Sequence, residues 1–464
     1  GGIMFHFLRL SALVVSLFLP CVALDLRDAV VLVPDGFSGP ERKAVDLLVE
    51  EVAARTLVRW PIVTSAPGGK QWIEVDRASN RSLAAEGYSI AIDATTGGGC
   101  AVRVTGNDSR GVLFGIGRLL RELEMRRGSV NVRDQWKLSS APKLPVRGHQ
   151  IGFRNTNNTY DLWTVADYEK YIREMAVFGA NTIEVTGGGE EPDNGLFPIP
   201  PLRMHQELSR LAQEYGLDFS IWLPADAKTY EDPATVEREL RRWDAVFAAL
   251  PKIDAVFVPG GDPGHTEPRI LMPFLAKATT VLKKHHPNAG MWVSPQGMDD
   301  DWLAQFYAVL REKPQWLAGV VHGPWVRPSM KEFRAAVPSS IQIRLYPDIT
   351  HTLRCQFPLV NWDPAFAITY SREPINPMPL WETKLFHGYY PGSIGFVSYS
   401  DGAHDDFNKV LWTVLAWDPE TDPVQIAREY GRFFTGLDTI ADGLLALERN
   451  WTGPLATNAN VRQT

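Results

Sequence analysis

From Arg147 onward the chain alternates short apolar runs with longer stretches that carry apolar residues on one side only. The runs fall at residues 148–153, 182–185, 218–223, 255–258, 290–294, 317–322, 341–346 and 395–399, and such continuous runs fit parallel strands covered on both faces. Helical spacing separates most of them, at 165–178, 203–215, 235–250, 269–286, 301–312 and 405–417. Eight strands alternating with amphipathic helices predict a (β/α)8 TIM barrel over residues 147–417. An open doubly wound sheet is the competing arrangement, but no glycine-rich turn follows a first strand. Ahead of the barrel, strand-like 30–33, 71–75, 88–93 and 101–105 and helical 41–56 and 109–124 predict a small α+β domain over 29–132. Its last helix places Val112, Leu113, Ile116, Leu119 and Leu120 on one face. Residues 137–145, with Pro142 and Pro145, read as a linker. Beyond Asp418 the stretches 424–434 and 437–449 predict a helical C-terminal segment over 418–464, read as the start of a further module cut short. The expected fold class is α/β: a barrel preceded by the α+β domain and followed by short helices.

The first residues change the expected location. Met4 to Arg9, an apolar run over 10–19 and the exit Pro20-Cys21-Val22-Ala23 read as a secretory signal over 4–23, cleaved near Ala23. The run is too short to span a bilayer, so the expectation is a secreted or periplasmic protein without stable membrane insertion. Cys21 is a poor lipid-anchor site behind Pro20. Cys100 and Cys355 would remain, too few for a disulfide framework or a cysteine metal site. The 47 Lys and Arg against 54 Asp and Glu leave a net charge of −7, which offers no basic surface and excludes nucleic acid as the expected partner. Nothing in the sequence sets an oligomeric state. The 15 Trp, ordinary core residues for the most part, also supply flat apolar faces on which sugar rings pack.

In such a barrel the loops after the C-terminal ends of the strands build the active site. That rule selects Arg154, Asn155 and Asn157 after the first strand, 186–191 after the second, and Asp226 and Lys228 after the third. The fourth strand runs into 259–267, with Asp262, His265 and Glu267. Gln296 follows the fifth, His322 and Trp325 the sixth, Asp348, His351 and Arg354 the seventh, and Asp401 to Asp406 the eighth. Carboxylates among Trp, Asn, His and Arg suit glycosidic bond cleavage, in which one carboxylic acid protonates the leaving oxygen and a second group attacks or stabilises the oxocarbenium-like centre. Asp405 and Asp406 also read as caps of the last barrel helix, and Glu190 and Glu191 as solvated loop charges. No His-Glu-x-x-His arrangement surrounds His265 or His351, so neither a metal nor another cofactor is expected.

The run Gly111-Val112-Leu113-Phe114-Gly115-Ile116-Gly117-Arg118-Leu119-Leu120, followed by a barrel opening at Arg147-Gly148, resembles the β-N-acetylhexosaminidase and α-glucuronidase group of glycoside hydrolases. The resemblance implies an accessory domain before a catalytic barrel. In the hexosaminidases the fourth strand runs into Gly-Gly-Asp-Glu, the Asp orienting the acetamido group and the Glu serving as general acid. Here Gly260-Gly261-Asp262 is followed by Pro263, which cannot donate a proton. Asp262 matches; the acid must come from elsewhere, with Glu267 first and His265 in reserve.

Three readings result. The first is an exo-acting glycosidase cutting a terminal sugar from an oligosaccharide or glycan, with Asp262, Glu267, Asp348 and Asp401 as the catalytic set and Arg154, Asn155, His265, His322, Trp325, His351 and Arg354 binding the carbohydrate. The second takes an acidic sugar, uronic or sialic, whose carboxylate Arg154, His351 and Arg354 clamp. The third is a carbohydrate-binding barrel without catalysis. The pocket is expected to draw its aromatic walls from Trp222, Trp292, Trp325 and Trp381.

Overall fold

The computed structural model describes residues 23–78, 84–92, 99–151, 160–189, 195–350, 377–400, 406–450 and 453–462. Two sheets form the N-terminal unit. The larger is built from β2 (Val30–Leu32), β3 (Ile62–Val63), β4 (Gln71–Arg77), β5 (Tyr88–Ile92), β6 (Gly99–Gly106) and β9 (Trp136–Ser140) in the order β3-β2-β4-β6-β5-β9. Strand β1 (Ala23–Asp25) joins β7 (Glu124–Arg126) and β8 (Ser129–Arg133) in a small antiparallel sheet. Helices α1 (Gly39–Thr56) and α2 (Ser109–Glu122) pack against each other. Asp108 starts α2 by accepting the Gly111 amide at 2.8 Å, and the apolar face anticipated from Val112 to Leu120 is fully buried. Residues 136–140 are a strand rather than part of a linker: β9 pairs antiparallel with β5, in register from Tyr88↔Ser140 to Ile92↔Trp136. Its short, half-polar sequence beside Pro142 hid that pairing.

Eight parallel strands close into a barrel: β10 (Val146–Gln150), β11 (Thr182–Thr186), β12 (Asp218–Trp222), β13 (Ala255–Pro259), β14 (Gly290–Ser294), β15 (Leu317–His322), β16 (Gln342–Leu345) and β18 (Gly395–Ser400). Val146↔Gly395 to His149↔Ser398 pair the last strand with the first, and a short β17 (Asp348–Thr350) continues the line of β16 along β18, Asp348↔Tyr399 following Leu345↔Phe396 in step. The helices are α3 (Val165–Val177), α4 (Pro201–Tyr215), α5 (Pro233–Ala249), α6 (Pro268–His285), α7 (Asp300–Arg311), α8 (Met330–Ala336), α9 (Pro379–Tyr389) and α10 (Asp406–Trp417). Outward residues such as Ile183, Val185, Phe219, Val256 and Val293 are buried beneath the helices, as a parallel sheet covered on its outer face requires. Inside the ring, Phe257, Trp292, Val321, Tyr346 and Tyr399 form a separate apolar cluster. Trp292 lies across Gly319, where a Cβ would come within 2.2 Å of the indole. Beside this cluster runs a polar layer: Arg344 meets Glu184 at 2.6 Å, and Ser220 and Gln150 bond the same carboxylate.

The N-terminal unit seats on the side and N-terminal rim of the barrel. Gly117 of α2 meets α3 so closely that a Cβ would stand 2.6 Å from the Val177 carbonyl oxygen. Arg110 pairs with Asp218 at the start of β12, and Glu86 pairs with both Arg110 and the fully buried Arg147 of β10. Burial raises the proton affinity of Glu86, but Arg147 and Arg110 outweigh it and hold the carboxyl below its usual range. Helices α11 (Pro423–Thr435) and α12 (Ile440–Asn450) follow the barrel, and Glu429 of α11 binds Arg118 and Arg121 of α2. All these ties lie away from the C-terminal ends of the strands. Among the described residues no helix is long and apolar enough to cross a membrane.

Two predictions come from this packing. Gly319→Ala forces the Trp292 ring to shift inside a filled barrel, and overpacking of this kind costs about 1–3 kcal/mol; chemical denaturation checks it. Glu174 of α3 is pushed up to about 7, chiefly by burial and further by Glu51 and Asp406, against Lys170 and Arg55. A carboxyl whose folded pKa is raised contributes stability that is complete below its unfolded value near 4.3 and lost as pH rises through 7. Glu174→Gln is therefore expected to match the wild type near pH 4.5 and exceed its stability by roughly 1–3 kcal/mol at pH 8.5. An equal effect at both pH values would contradict this.

Candidate active site

The segments that follow β13, β14, β15 and β16 meet at the C-terminal mouth of the barrel, beside Tyr399 of β18. Gly260 donates its amide to the Ser294 carbonyl at 2.8 Å, and Gly261 lies so near the following loop that a Cβ would sit 2.5 Å from the Gln296 carbonyl oxygen. Gly297, at φ +74°, donates to the Trp325 carbonyl at 3.1 Å, and a Cβ there would come within 2.9 Å of the Asp262 Cβ. Tyr346 donates its amide to the carbonyl of His322, and Tyr399 to that of Pro347. The loops after β13, β14 and β15 therefore interlock through backbone contacts. Their side chains are presented on a rigid rim.

Between them lies a cavity of about 270 Å³. Asp262 and Asp348 both face it, Asp262 exposed on the rim and Asp348 only 1% exposed. Trp222, Trp325, Tyr346 and Tyr399 supply aromatic walls, and Pro263, Gln296 and Pro324 complete it. The Tyr346 hydroxyl bonds the Gln150 side-chain oxygen at 3.0 Å, which ties the floor to the Glu184–Arg344 layer. Trp325 is 44% exposed and sits at φ +64°, a left-handed conformation that is a genuine outlier for a bulky residue. It also bounds a second cavity, of about 830 Å³, on the side of His322, Arg327, Met330 and Tyr389.

The other anticipated residues stand as follows. Glu267 precedes α6, its carboxylate bonding Gln305 at 2.6 Å and Arg269 at 2.7 Å, and it does not line the mouth cavity. His265, at φ +44°, packs its ring on Trp302, 4.9 Å between centroids. His322 is buried; its Nε2 meets the Pro328 carbonyl at 2.9 Å and its Nδ1 the Tyr389 hydroxyl at 2.6 Å. A carbonyl only accepts, so Nε2 carries the proton, and burial pushes the imidazole pKa down despite that carbonyl. His322 thus braces the larger cavity as a neutral ring. Arg154, Asn155, His351, Arg354 and Asp401 lie outside the described residues. Of the four candidate tryptophans, Trp222 and Trp325 line the mouth; Trp292 fills the barrel beneath it and Trp381 belongs to α9. Tyr346 and Tyr399 escaped the sequence reading because it searched the loops after the strands. The rule that found Asp348, applied to the end of each strand as well, would have found both. Among the described residues no group of three or more His, Cys, Asp or Glu side chains is placed to hold a metal.

No family model matches the chain, and no curated protein matches it in sequence. Solved structures do match in shape. A GH138 enzyme targeting pectin rhamnogalacturonan II aligns over 92% of this chain and 69% of its own, with a TM-score of 0.63 at 13% identity. A glycoside hydrolase family 20 β-N-acetylglucosaminidase aligns over 92% and 96%, with a TM-score of 0.53 at 13% identity. An inactive mutant of a GH20 exo-β-N-acetylglucosaminidase from Vibrio harveyi aligns over 91% and 75%, with a TM-score of 0.54 at 12% identity. At this identity the likeness is one of fold: this chain is built on the same barrel architecture as these glycoside hydrolases.

Proposed function

We propose that the protein is an exo-acting glycoside hydrolase that removes a terminal sugar from an oligosaccharide or glycan. The observation that carries this reading is the mouth cavity itself, in which Asp262 and Asp348 share one small chamber with four aromatic walls. Hydrolysis needs one carboxylic acid to protonate the departing oxygen and a second carboxylate to activate water or attack the anomeric carbon. Asp348, in the drier position, is assigned the proton donor, and Asp262, on the open rim, the second role. A volume of about 270 Å³ is below the ~300–1,000 Å³ of pockets for drug-sized ligands, which suits one ring rather than an internal stretch of a chain. The fold likeness to glycoside hydrolases supports the same class. The signal read at residues 4–23 supports a secreted or periplasmic setting for this activity.

The test is a panel of p-nitrophenyl glycosides. Gly260-Gly261-Asp262 puts N-acetylhexosaminides on it, and the pectin-acting structural neighbour adds uronides and deoxyhexosides. Release of nitrophenol is expected from at least one member, and its absence from all would leave the binding-only reading suggested by Pro263. Asp262→Asn and Asp348→Asn are each expected to lose ~10²–10⁴-fold in kcat. Glu267→Gln, whose carboxylate is committed to Arg269 and Gln305, is expected to lose under about tenfold, the lower bound of acid–base effects being ~10²-fold. A large loss in Glu267→Gln confined to poor leaving groups would move the acid to that residue. Trp325→Gly relieves the left-handed strain, of order 1–3 kcal/mol, while removing a sugar platform. The expected result is a Tm little changed with KM raised about tenfold or more, for a stacking loss of order 1.4 kcal/mol.

A further inference from the structure

We propose that the larger cavity beside the mouth receives the leaving-group end of the substrate, so that the substrate is an oligosaccharide whose next sugar crosses Trp325 from one chamber into the other. The identity of the ligand rests on the glycosidase reading of the mouth; the second chamber stands on its own geometry.

The two chambers share a wall. Pro324 and Trp325 line both, with about 270 Å³ on the side of Asp262 and Asp348 and about 830 Å³ on the side of Arg327 and Met330. With one ring in the smaller chamber, the larger has room for at least one more, and it falls within the ~300–1,000 Å³ of ordinary ligand pockets. The wall is also fixed. Gly297 donates to the Trp325 carbonyl at 3.1 Å, Nε2 of His322 to the Pro328 carbonyl at 2.9 Å, and the Val326 amide to the Gly323 carbonyl at 3.3 Å. A Cβ on Gly323 would stand 2.9 Å from the Tyr346 carbonyl oxygen, so this loop is pressed against the floor of the mouth. Trp325 keeps its left-handed backbone here and stays nearly half exposed. Strain of that kind persists only where the surroundings enforce it, and what it delivers is an indole standing between two chambers.

The lining of the larger chamber fits a sugar chain. Trp325, Val326, Pro328 and Met330 give it an apolar wall on which a ring face can pack, and Arg327 and Lys331 bring N–H donors for ring and hydroxyl oxygens. One guanidinium N–H of Arg327 meets Asp300 at 3.1 Å, while Glu332, on the same wall, spends its carboxylate on the Ser329 amide and hydroxyl at 2.8 and 2.7 Å. When a terminal sugar is cut off, the departing oxygen carries the rest of the glycan, so whatever is bound beyond the scissile bond is the leaving group. Binding energy from such non-reacting parts of a substrate is what orients the reacting bond. A chain that leaves the mouth past Trp325 enters a chamber with an apolar wall and oxygen-seeking donors.

The test separates binding from turnover. Sulfur-linked analogues of cellobiose, lactose, chitobiose and digalacturonate, which resist hydrolysis, are titrated into the intact protein beside the methyl thioglycoside of each terminal sugar, with binding read by saturation-transfer NMR and tryptophan fluorescence. At least one disaccharide is expected to bind about tenfold more tightly than its terminal sugar alone, the equivalent of about 1.4 kcal/mol. Val326→Trp, which fills the larger chamber, is expected to abolish that advantage. Should Val326→Trp not fold, Arg327→Ala combined with Lys331→Ala carries the same test, because both side chains are exposed. In turnover, the ratio of kcat/KM for the oxygen-linked disaccharide to that for the glycosyl fluoride of the same terminal sugar is expected to fall about tenfold in these variants, since fluoride leaves without a second ring. No disaccharide advantage, an advantage that survives in Val326→Trp because the chain leaves the mouth by another side, or an equal loss on mono- and disaccharide with a lowered Tm would each overturn the proposal. A disaccharide advantage that depends on Val326, without hydrolysis of any oxygen-linked partner or glycosyl fluoride, would sink the hydrolase reading and leave the second chamber standing. Hydrolysis without that advantage would do the reverse.

Discussion

The ion pair between Glu184 and Arg344 is the interaction on which the mouth depends. It joins the second strand of the barrel to the seventh across the interior, at 2.6 Å, with the Arg344 and Glu184 side chains 3% and 0% exposed. A buried pair of this kind is weak evidence of net stability, since desolvation offsets the attraction; removing one partner, however, strands a charge and costs about 3–5 kcal/mol. Its visible effect is geometric. Glu184 accepts from Gln150 and Ser220, Gln150 accepts from the Tyr346 hydroxyl, and Tyr346 is the floor of the cavity. Arg344 also lies over the Phe257 and Trp292 rings, at 4.9 and 5.8 Å to their centroids, so the polar layer and the aromatic filling hold each other in one arrangement.

The N-terminal unit contributes by where it does not sit. Its charged contacts reach Arg147, Asn181 and Asp218, all at the entering ends of strands β10 to β12. The opposite rim carries Asp262, Gln296, Trp325 and Asp348. Stabilisation by a large docked unit is thereby separated from the rim, where Trp325 and His265 hold left-handed backbone conformations that cost of order 1–3 kcal/mol each.

The barrel was legible because its strands are covered on both sides. Ile183 and Val185 bracket Glu184 in an otherwise apolar run, and the eight runs stand at the spacing that intervening helices require. Helix α8 escaped notice because seven residues, Met330–Ala336, are too few to show a period; it exists because Ser329 and Glu332 form a capping box. Helix α9 escaped because its buried face, Pro379, Glu382, Phe386 and Tyr389, includes a carboxylate while Leu380 is exposed, so the apolar pattern does not follow the buried stripe. At the site, the rule about strand ends found Asp262, Trp325 and Asp348. It had no means of ranking Glu267 below them, because the ties of Glu267 to Arg269 and Gln305 depend on where α6 and α7 start relative to each other. The second chamber behind Trp325 is likewise a property of a loop meeting the end of α9, and no spacing within one loop announces it.

The C-terminal helices, read from sequence as the start of something separate, act on the mouth through a chain of contacts. Glu448 of α12 accepts the Leu380 and Trp381 amides at 2.9 and 2.7 Å and so caps α9. Burial raises the proton affinity of that carboxyl, and the two amides recover only part of the shift. At the other end of α9 the Tyr389 hydroxyl reaches His322, whose Nε2 proton holds the Pro328 carbonyl just beyond Trp325. The Tyr389 hydroxyl lies 2.6 Å from Nδ1 and 3.1 Å from the His322 carbonyl oxygen, so it ties both the ring, which burial keeps neutral, and its backbone to α9. The wall shared by the two cavities is therefore held from behind by a helix whose start is fixed from outside the barrel, and α12 belongs to the architecture of the site.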